Sequence, residues 1–470
     1  GMHSSQNEQD SRHYAIAAKV PMLEPADSAE CLEYTKKAFE LSERYDTPVL
    51  LRLSTRISHS RTLAPTGERE NPVLRDYVKD PAKYVMMPAN ARARRVVVGE
   101  RMKKLSKLAE TGEFNTLHMH GAKIGVISSG IAYQYAREAL GDEASYLKLG
   151  LINPLPVELI REFAKSVDTL YVIEELDGII EAHCKSAGIR CVGRELFPGI
   201  GELSAGMIAK KLLGTAAKSV SYGEALPARP PVLCAGCPHR GTFYALSKLK
   251  LTVYGDIGCY TLGAAPPLSA MDATICMGAS LSGLHGFNKA RGEEGRAVAV
   301  IGDSTFIHSG ITGLIDIAYN QSNSTVVILD NSITGMTGHQ NNPASGYDIK
   351  GERAPAVDLE ALCRAVGIRR VAVADPYELA EFEALLKREL EAPEPSVIIA
   401  KRPCALLKNV RHAPPLRVNE KCTGCGMCMR IGCPAVTKNG RSAEIDETLC
   451  VGCGLCAKLC RFGAIGGGVQ

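Results

Sequence analysis

Eight cysteines fall between Cys422 and Cys460, in two runs that share one rhythm. The first is Cys422-x2-Cys425-x2-Cys428-x4-Cys433-Pro434, and the second is Cys450-x2-Cys453-x2-Cys456-x3-Cys460. Three cysteines at two-residue spacing wrap a loop around one corner of a cubane cluster, and the fourth of each run reaches across to the other cluster. That rule assigns Cys422, Cys425, Cys428 and Cys460 to one [4Fe-4S] cluster. It assigns Cys450, Cys453, Cys456 and Cys433 to a second. Zinc is the competing metal, but a structural zinc site takes four ligands, usually as two CxxC pairs. It has no use for a third cysteine at the same spacing, seen here twice. The runs depart from the usual pattern in the four residues before Cys433 and in Arg461, where proline is common. The segment from Leu416 to Gln470 is too small to fold on an apolar core alone, so the metal supplies much of its stability.

Such a module moves single electrons, and the rest of the chain must say where they come from. The chain has 470 residues, room for three or four domains. Its net charge of +4 is a balanced mixture of signs, which argues against a nucleic-acid partner. Trp is absent and aromatics make up 5%, so stacking platforms are excluded. No basic stretch precedes an apolar core and no long apolar run occurs, so neither a signal peptide nor a membrane span is expected, and the chain is expected in the cytoplasm. There, 17 cysteines point to metal sites or buried thiols rather than disulfides. Cys31, Cys184, Cys191, Cys276 and Cys363 lie outside any pattern and are expected to be small buried apolar residues.

Strands and helices alternate along the chain. Ser28 to Tyr45 has helical spacing, and Val49 to Leu53 reads as a buried strand. The basic stretch from Arg92 to Lys107 reads as a solvated helix face. A strand at Lys123–Gly130 is followed by a helix at Ala132–Leu140, a strand and proline-rich turn at Tyr146–Pro156, a helix at Val157–Lys165 and a strand at Thr169–Glu174. Pro227, Pro230 and Pro231 mark a linker. Strands at Ala297–Ile301, Thr325–Leu329 and Ser396–Ala400 follow, and Pro414-Pro415 closes that segment. The expected fold class is α/β, with several parallel-sheet domains and a small C-terminal ferredoxin domain. Expected boundaries are 1–116, 117–226, 227–410 and 411–470. The opening residues, Gly1 to Asp10, read as a loop inside a domain, so sequence upstream of residue 1 is expected.

The strand ending at Ile301 runs into Gly302-Asp303-Ser304, with a helix expected from about Gly310 to Tyr319. The strand ending at Leu329 runs into Asp330-Asn331. Strand ends of this kind are where open parallel sheets bind ligands. A magnesium ion holding a diphosphate wants hard oxygen ligands. Asp303, Asn331 and the carbonyl of Ile333 can supply three, and Gly302 lets the backbone approach phosphates closely. By itself this pattern is weak, because Gly-Asp occurs in many turns.

The surrounding residues strengthen it. Gly302-Asp303-Ser304-Thr305-Phe306 and Asp330-Asn331-Ser332-Ile333-Thr334 resemble the thiamine-diphosphate domain of indolepyruvate:ferredoxin oxidoreductase α subunits. So do Cys234-Ala235-Gly236-Cys237-Pro238-His239-Arg240-Gly241, Gly255-Asp256-Ile257-Gly258-Cys259-Tyr260, Thr337-Gly338-His339-Gln340 and His3-Ser4-Ser5-Gln6-Asn7-Glu8-Gln9-Asp10. The resemblance covers all four segments in the family's order. It implies oxidative decarboxylation of aryl pyruvates, chiefly indolepyruvate, to aryl-acetyl-CoA and carbon dioxide. Electrons would pass through the clusters to ferredoxin, and a smaller β subunit is the implied partner. It also implies that residues 1–116 are the remainder of a pyrimidine-binding domain, that 117–226 resemble the C-terminal domain of transketolases, and that 227–410 hold thiamine diphosphate and Mg2+. The family's ring-activating glutamate is expected upstream of residue 1, which would leave the chain as written catalytically incomplete. His3, His239 and His339 are candidates for acid–base or substrate contacts, with a structural role at least as good a reading for each.

A third cluster is a further expectation. Cys234-x2-Cys237 alone says little. Together with Cys259 and Cys404 it resembles the proximal cluster site of pyruvate:ferredoxin oxidoreductases, where an acceptor must lie close to the thiamine. Buried thiols lining the cofactor pocket are the alternative. Other readings stand beside the main one: an electron-transfer subunit without catalysis of its own, a non-oxidative thiamine-dependent decarboxylase, and the same oxidative reaction on pyruvate or 2-oxoglutarate.

Overall fold

Among the described residues, short strands carry the architecture: β1 (Met22–Leu23), β2 (Leu50–Leu51), β3 (Thr116–His118), β4 (Ile124–Ser129), β5 (Ala144–Leu149), β6 (Leu151–Asn153), β7 (Thr169–Ile173), β8 (Thr252–Tyr254), β9 (Ala297–Gly302), β10 (Thr325–Asp330), β11 (Arg370–Ala374), β12 (Ser396–Lys401), β13 (Leu416–Val418), β14 (Val436–Asn439), β15 (Ser442–Ile445) and β16 (Ile465–Gly467). The computed structural model describes residues 8–467 apart from 70, 72–73, 75, 216–221, 227–229 and 293–295. His3 and Pro227 therefore lie outside the described residues. The chain divides into two compact units, Gly1–Glu224 and Ala225–Gln470.

In the first unit, β5, β4 and β7 run parallel and β3 joins antiparallel at the edge. Alternate residues of one strand enter opposite cores: Ile127 and Leu147 on one face, Val126 and Tyr146 on the other. That is the period of two that a sheet covered on both faces demands. The expected helix at Ser28–Tyr45 forms over those residues, and the Asp27 side chain accepts from the Glu30 N–H at its start. The basic stretch lies on the helix Pro88–Ala109, where Arg94 and Arg101 face Asp46. The boundary expected at 116/117 runs through β3, and residues on both sides of it belong to this unit. β1 explains why: it pairs with β2 in parallel and with β6 antiparallel, stitching the early residues to the later ones.

The second unit is built on an all-parallel sheet of order β11-β12-β10-β9-β8. All six residues of β9 and of β10 are buried, which is why both read as unbroken apolar runs. Val298, Val300, Val327 and Leu329 face one core, with Phe243 and Phe382 from the helices His239–Leu249 and Leu379–Leu390. Val326, Ile328, Ala299 and Ile301 face the other, against Leu284 and Leu314 from Ala279–Arg291 and Ile311–Tyr319. Each such apolar side chain stabilises by about 1.5–3 kcal/mol when fully buried. The helix expected from about Gly310 starts earlier: a helical turn at Asp303–Thr305 follows β9 directly, a π-helical stretch spans Phe306–Gly310, and the regular helix follows. The apolar pattern marks only the packed stretch, so sequence misses the polar first turn that presents Asp303.

The cysteine-rich segment adds two antiparallel ribbons, β13–β16 and β14–β15. Its small core mixes Ile431, Ile445 and Leu455 with the cysteines themselves and takes in Tyr377 from the neighbouring α/β domain. Gly424 (φ +71°) and Gly452 (φ +65°) stand at equivalent places in the two cysteine runs. A Cβ at Gly424 would lie 1.8 Å from the Arg441 carbonyl oxygen, and one at Gly452 would lie 2.5 Å from that of Pro414. Only glycine meets both demands. Among the scattered cysteines, Cys184 and Cys363 are buried as expected, Cys31 and Cys191 are half-buried, and Cys276 is exposed. Cys276 corrects the blanket reading: it lies in a loop, where no apolar face draws it inward.

Candidate active site and iron–sulfur centres

The carboxyl ends of β9 and β10 open into a cleft lined by His239, Cys259, Tyr260, Gly302, Asp303, Ser304, Asn331, Ile333 and Thr334 among others. Asp303 is 2% exposed. Its carboxylate accepts from the Ser304 N–H at 2.8 Å and from the Asn342 amide at 3.3 Å. Burial, with the charge of Asp330 nearby, pushes its pKa up to about 7. A carboxylate held in a dry site in this way is relieved by a cation, and a hard divalent ion suits its oxygen. The chemistry of the donor set therefore fits magnesium.

Asn331, across the cleft, donates from Nδ2 to His239 Nε2 at 3.3 Å. Its Oδ1 accepts from the Ile333 N–H, also at 3.3 Å, and keeps a lone pair for a further partner. His239 is 3% exposed, and burial lowers its pKa to about 4. It is therefore neutral at pH 7, and Nε2 is an acceptor, so the histidine orients the asparagine amide rather than moving a proton. Its ring stands edge-on to Tyr260, with centroids 5.9 Å apart. Tyr260 also explains Gly302, where a Cβ would lie 2.7 Å from its ring. The glycine makes room for an aromatic wall of the cleft, a reason different from the close phosphate approach read from sequence. His339 is exposed and lines a separate hollow with Ser345, Tyr347 and Lys408. The hollow shares Ile333 with the cleft but takes in neither Asp303 nor Asn331. Sequence reasoning missed Asn342 and Tyr260 as parts of the site. The first follows the quoted Thr337–Gln340 stretch by two residues, and the second closes the Gly255–Tyr260 stretch, but neither carries a spacing signal of its own.

Cys259 lines the same cleft, and a Cβ at Gly335 of the β10 loop would touch its Sγ at 3.4 Å. Cys404 is tied to that loop as well: its N–H donates to the Asn331 carbonyl at 3.0 Å. Burial raises the pKa of Cys237, Cys259 and Cys404. Cys234 raises all three further, and Cys404 raises Cys237 and Cys259. Cys234 and Cys404 thus lie within electrostatic reach of each other and of both Cys237 and Cys259, although 170 residues separate the first from the last (404 − 234).

In the ferredoxin segment the fourth cysteine of each run lies beside the close-spaced three of the other run. Cys422, Cys425, Cys428 and Cys460 line one small cavity. Cys428 feels Cys422, Cys460 and Cys425, whereas Cys456 feels Cys453, Cys433 and Cys450 most strongly. Backbone N–H groups of Ala443 and Ala464 donate to Cys422 and Cys460, and those of Leu416 and Gly452 to Cys450. Such donors favour thiolates. The cavity and its donors fit a cubane. Zinc would draw its sulfurs to about 2.3 Å from one point. The thiolates of a cubane surround a four-iron core and stand farther apart.

Comparison with known proteins agrees with this geometry. Residues 256–400 match the family described as thiamine pyrophosphate enzyme, C-terminal TPP binding domain, and residues 443–466 match the 4Fe-4S binding domain. Indolepyruvate oxidoreductase subunit IorA of Methanothermobacter marburgensis is 40% identical over 493 residues, covering 99% of this chain and 79% of its own length. The subunit of the same name from Archaeoglobus fulgidus is 38% identical over 497 residues, with the same shares covered. Among solved structures, 2-oxoglutarate:ferredoxin oxidoreductase from Magnetococcus marinus is similar with a TM-score of 0.33 and 20% identity, over 39% of this chain and 68% of its own, too remote a likeness to bear on the argument. With identity of this order sustained along nearly its whole length, the chain belongs to the indolepyruvate oxidoreductase subunit IorA family.

Proposed function

We propose that this chain is the thiamine-dependent subunit of an aryl-pyruvate:ferredoxin oxidoreductase. It converts indolepyruvate and coenzyme A to indoleacetyl-CoA and carbon dioxide, and two electrons leave singly to ferredoxin. The observation that carries this reading is the meeting of Asp303, Asn331 and Cys259 in one cleft. The names of the relatives support the aryl substrate. Thiamine diphosphate, when bound, supplies the electron sink that lets a 2-oxo acid lose carbon dioxide. Asp303, Asn331 Oδ1 and the Ile333 carbonyl would hold Mg2+ for the diphosphate, while His239 fixes the asparagine amide. Cys234, Cys237, Cys259 and Cys404 would hold a third [4Fe-4S] cluster beside the cleft. Cys450, Cys453, Cys456 and Cys433 would hold the cluster nearer the CxxC loop, since Gly236 of that loop packs against Val451. Cys422, Cys425, Cys428 and Cys460 would hold the other, and the clusters would supply single-electron transfer to ferredoxin. The smaller β subunit is the partner and the cytoplasm the compartment. Among the described residues no helix is long and apolar enough to cross a membrane.

The test is viologen reduction by the full-length protein, purified without oxygen together with its smaller partner. Coenzyme A and a panel of indolepyruvate, phenylpyruvate, pyruvate and 2-oxoglutarate are supplied in turn. Reduction with the aryl acids alone is expected. Reduction with pyruvate or 2-oxoglutarate instead would keep the chemistry and overturn the substrate. No reduction with any acid, despite loaded cofactors, would leave an electron-transfer subunit.

A further inference from the structure

Arg240 follows the CxxC pair by three residues and is 2% exposed, among the largest fully buried side chains of the molecule. Its four hydrogen-bond partners are all main-chain carbonyls. Nε donates to Cys234 at 3.0 Å and Nη2 to Leu233, both on the CxxC loop. Nη1 donates to Ile431 at 3.1 Å and to Gly432, the two residues before Cys433. Among the described residues no carboxylate pairs with it. Leaving a guanidinium in a dry interior without a counter-ion is strongly unfavourable. Its donors instead span the two loops that carry Cys234 and Cys433, so the charge stands between two cysteine sets.

We propose that Arg240 is a positioning residue for electron transfer: wedged between the CxxC loop and the Cys433 loop, its fixed charge raises the reduction potentials of the two centres it separates, and its fork holds them in register. The reasoning rests on the proposed reading of Cys234, Cys237, Cys259 and Cys404 as a centre. A cubane with four thiolates is an anion and gains a further negative charge when an electron arrives. A permanent cation beside it stabilises the reduced form more than the oxidised one. Net charge and burial are levers that set such potentials. Arginine suits the place because it stays charged when buried and presents five donors in one plane, enough to clamp two loops at once.

The experiment is an anaerobic redox titration of the cofactor-loaded complex, followed by electron paramagnetic resonance, with iron content measured in parallel. For Arg240→Gln with full iron, the equilibrium for reducing at least one cluster is expected to shift about tenfold toward the oxidised form, which corresponds to about 59 mV for one electron. Arg240→Lys, which keeps the charge, is expected to stay near the wild-type potentials. Unchanged potentials in Arg240→Gln, or equal shifts in both variants, would overturn the proposal. Where Arg240→Gln fails to load iron, Arg240→Lys decides. Normal iron and potentials uphold the role of the charge, and iron lost as in Arg240→Gln overturns it. The wild-type iron content separately tests the third centre: a value of two cubanes only would remove that reading, while any shift in the Cys433 set would still report on Arg240.

Discussion

His239 shows how one buried side chain can serve a site without taking part in proton transfer. Its imidazole titrates near 6.5 in an unfolded chain and near 4 in the fold, because burial penalises the cation. Between those values the unfolded chain binds more protons, so stability falls as pH drops through that window. His239→Gln keeps an acceptor for Asn331 and removes the titration. Urea unfolding at pH 7 and pH 5 is expected to show the wild type losing about 2 kcal/mol more than the variant over that interval. Equal losses would mean that His239 is already protonated or exposed. Asp303→Asn preserves shape and removes a charge. Calorimetry is expected to show thiamine diphosphate with Mg2+ binding at least about tenfold more weakly, the loss of one charge-assisted contact. Unchanged affinity would take Asp303 out of the cation site. Asp303 and Asn331 were legible as candidates because each ends an apolar run. Asn342, which steadies Asp303 from 39 residues away, was not, because a hydrogen bond across a loop leaves no mark on spacing.

At the scale of elements, the two cysteine runs behave as one device used twice. Each loop needs a left-handed residue two places after its first cysteine, with no space for a Cβ. Gly424→Ala forces a methyl against the Arg441 carbonyl in the loop that carries Cys422 and Cys425. About four irons are expected to be lost while the other cysteine set stays loaded, which iron analysis with electron paramagnetic resonance would read. Full iron content in the variant would mean that the β14–β15 turn yields without harm. The central strands were legible because full burial on both faces writes apolar runs. The turn from β9 into its helix was not. Its polar first residues and π-helical stretch obey the needs of the cleft, and the helical period begins only where packing begins.

At the scale of the molecule, the cleft at the ends of β9 and β10, the CxxC loop and the ferredoxin segment fall within one compact unit. Cys259→Ser is expected to lower iron from about twelve to about eight atoms per chain, leaving both ferredoxin cubanes loaded. Twelve irons retained would show that Cys259 is a pocket thiol instead. The iron–sulfur module was legible along the chain, because a metal core with fixed geometry imposes fixed local spacing, and so was the parallel sheet, because buried strands need apolar residues. Folding alone shows which cysteine run packs against the CxxC loop, how Cys404 reaches Asn331, and that Arg240 sits between the CxxC loop and the Cys433 loop. Those facts depend on where distant loops meet, and packing between surfaces leaves no periodicity along the chain.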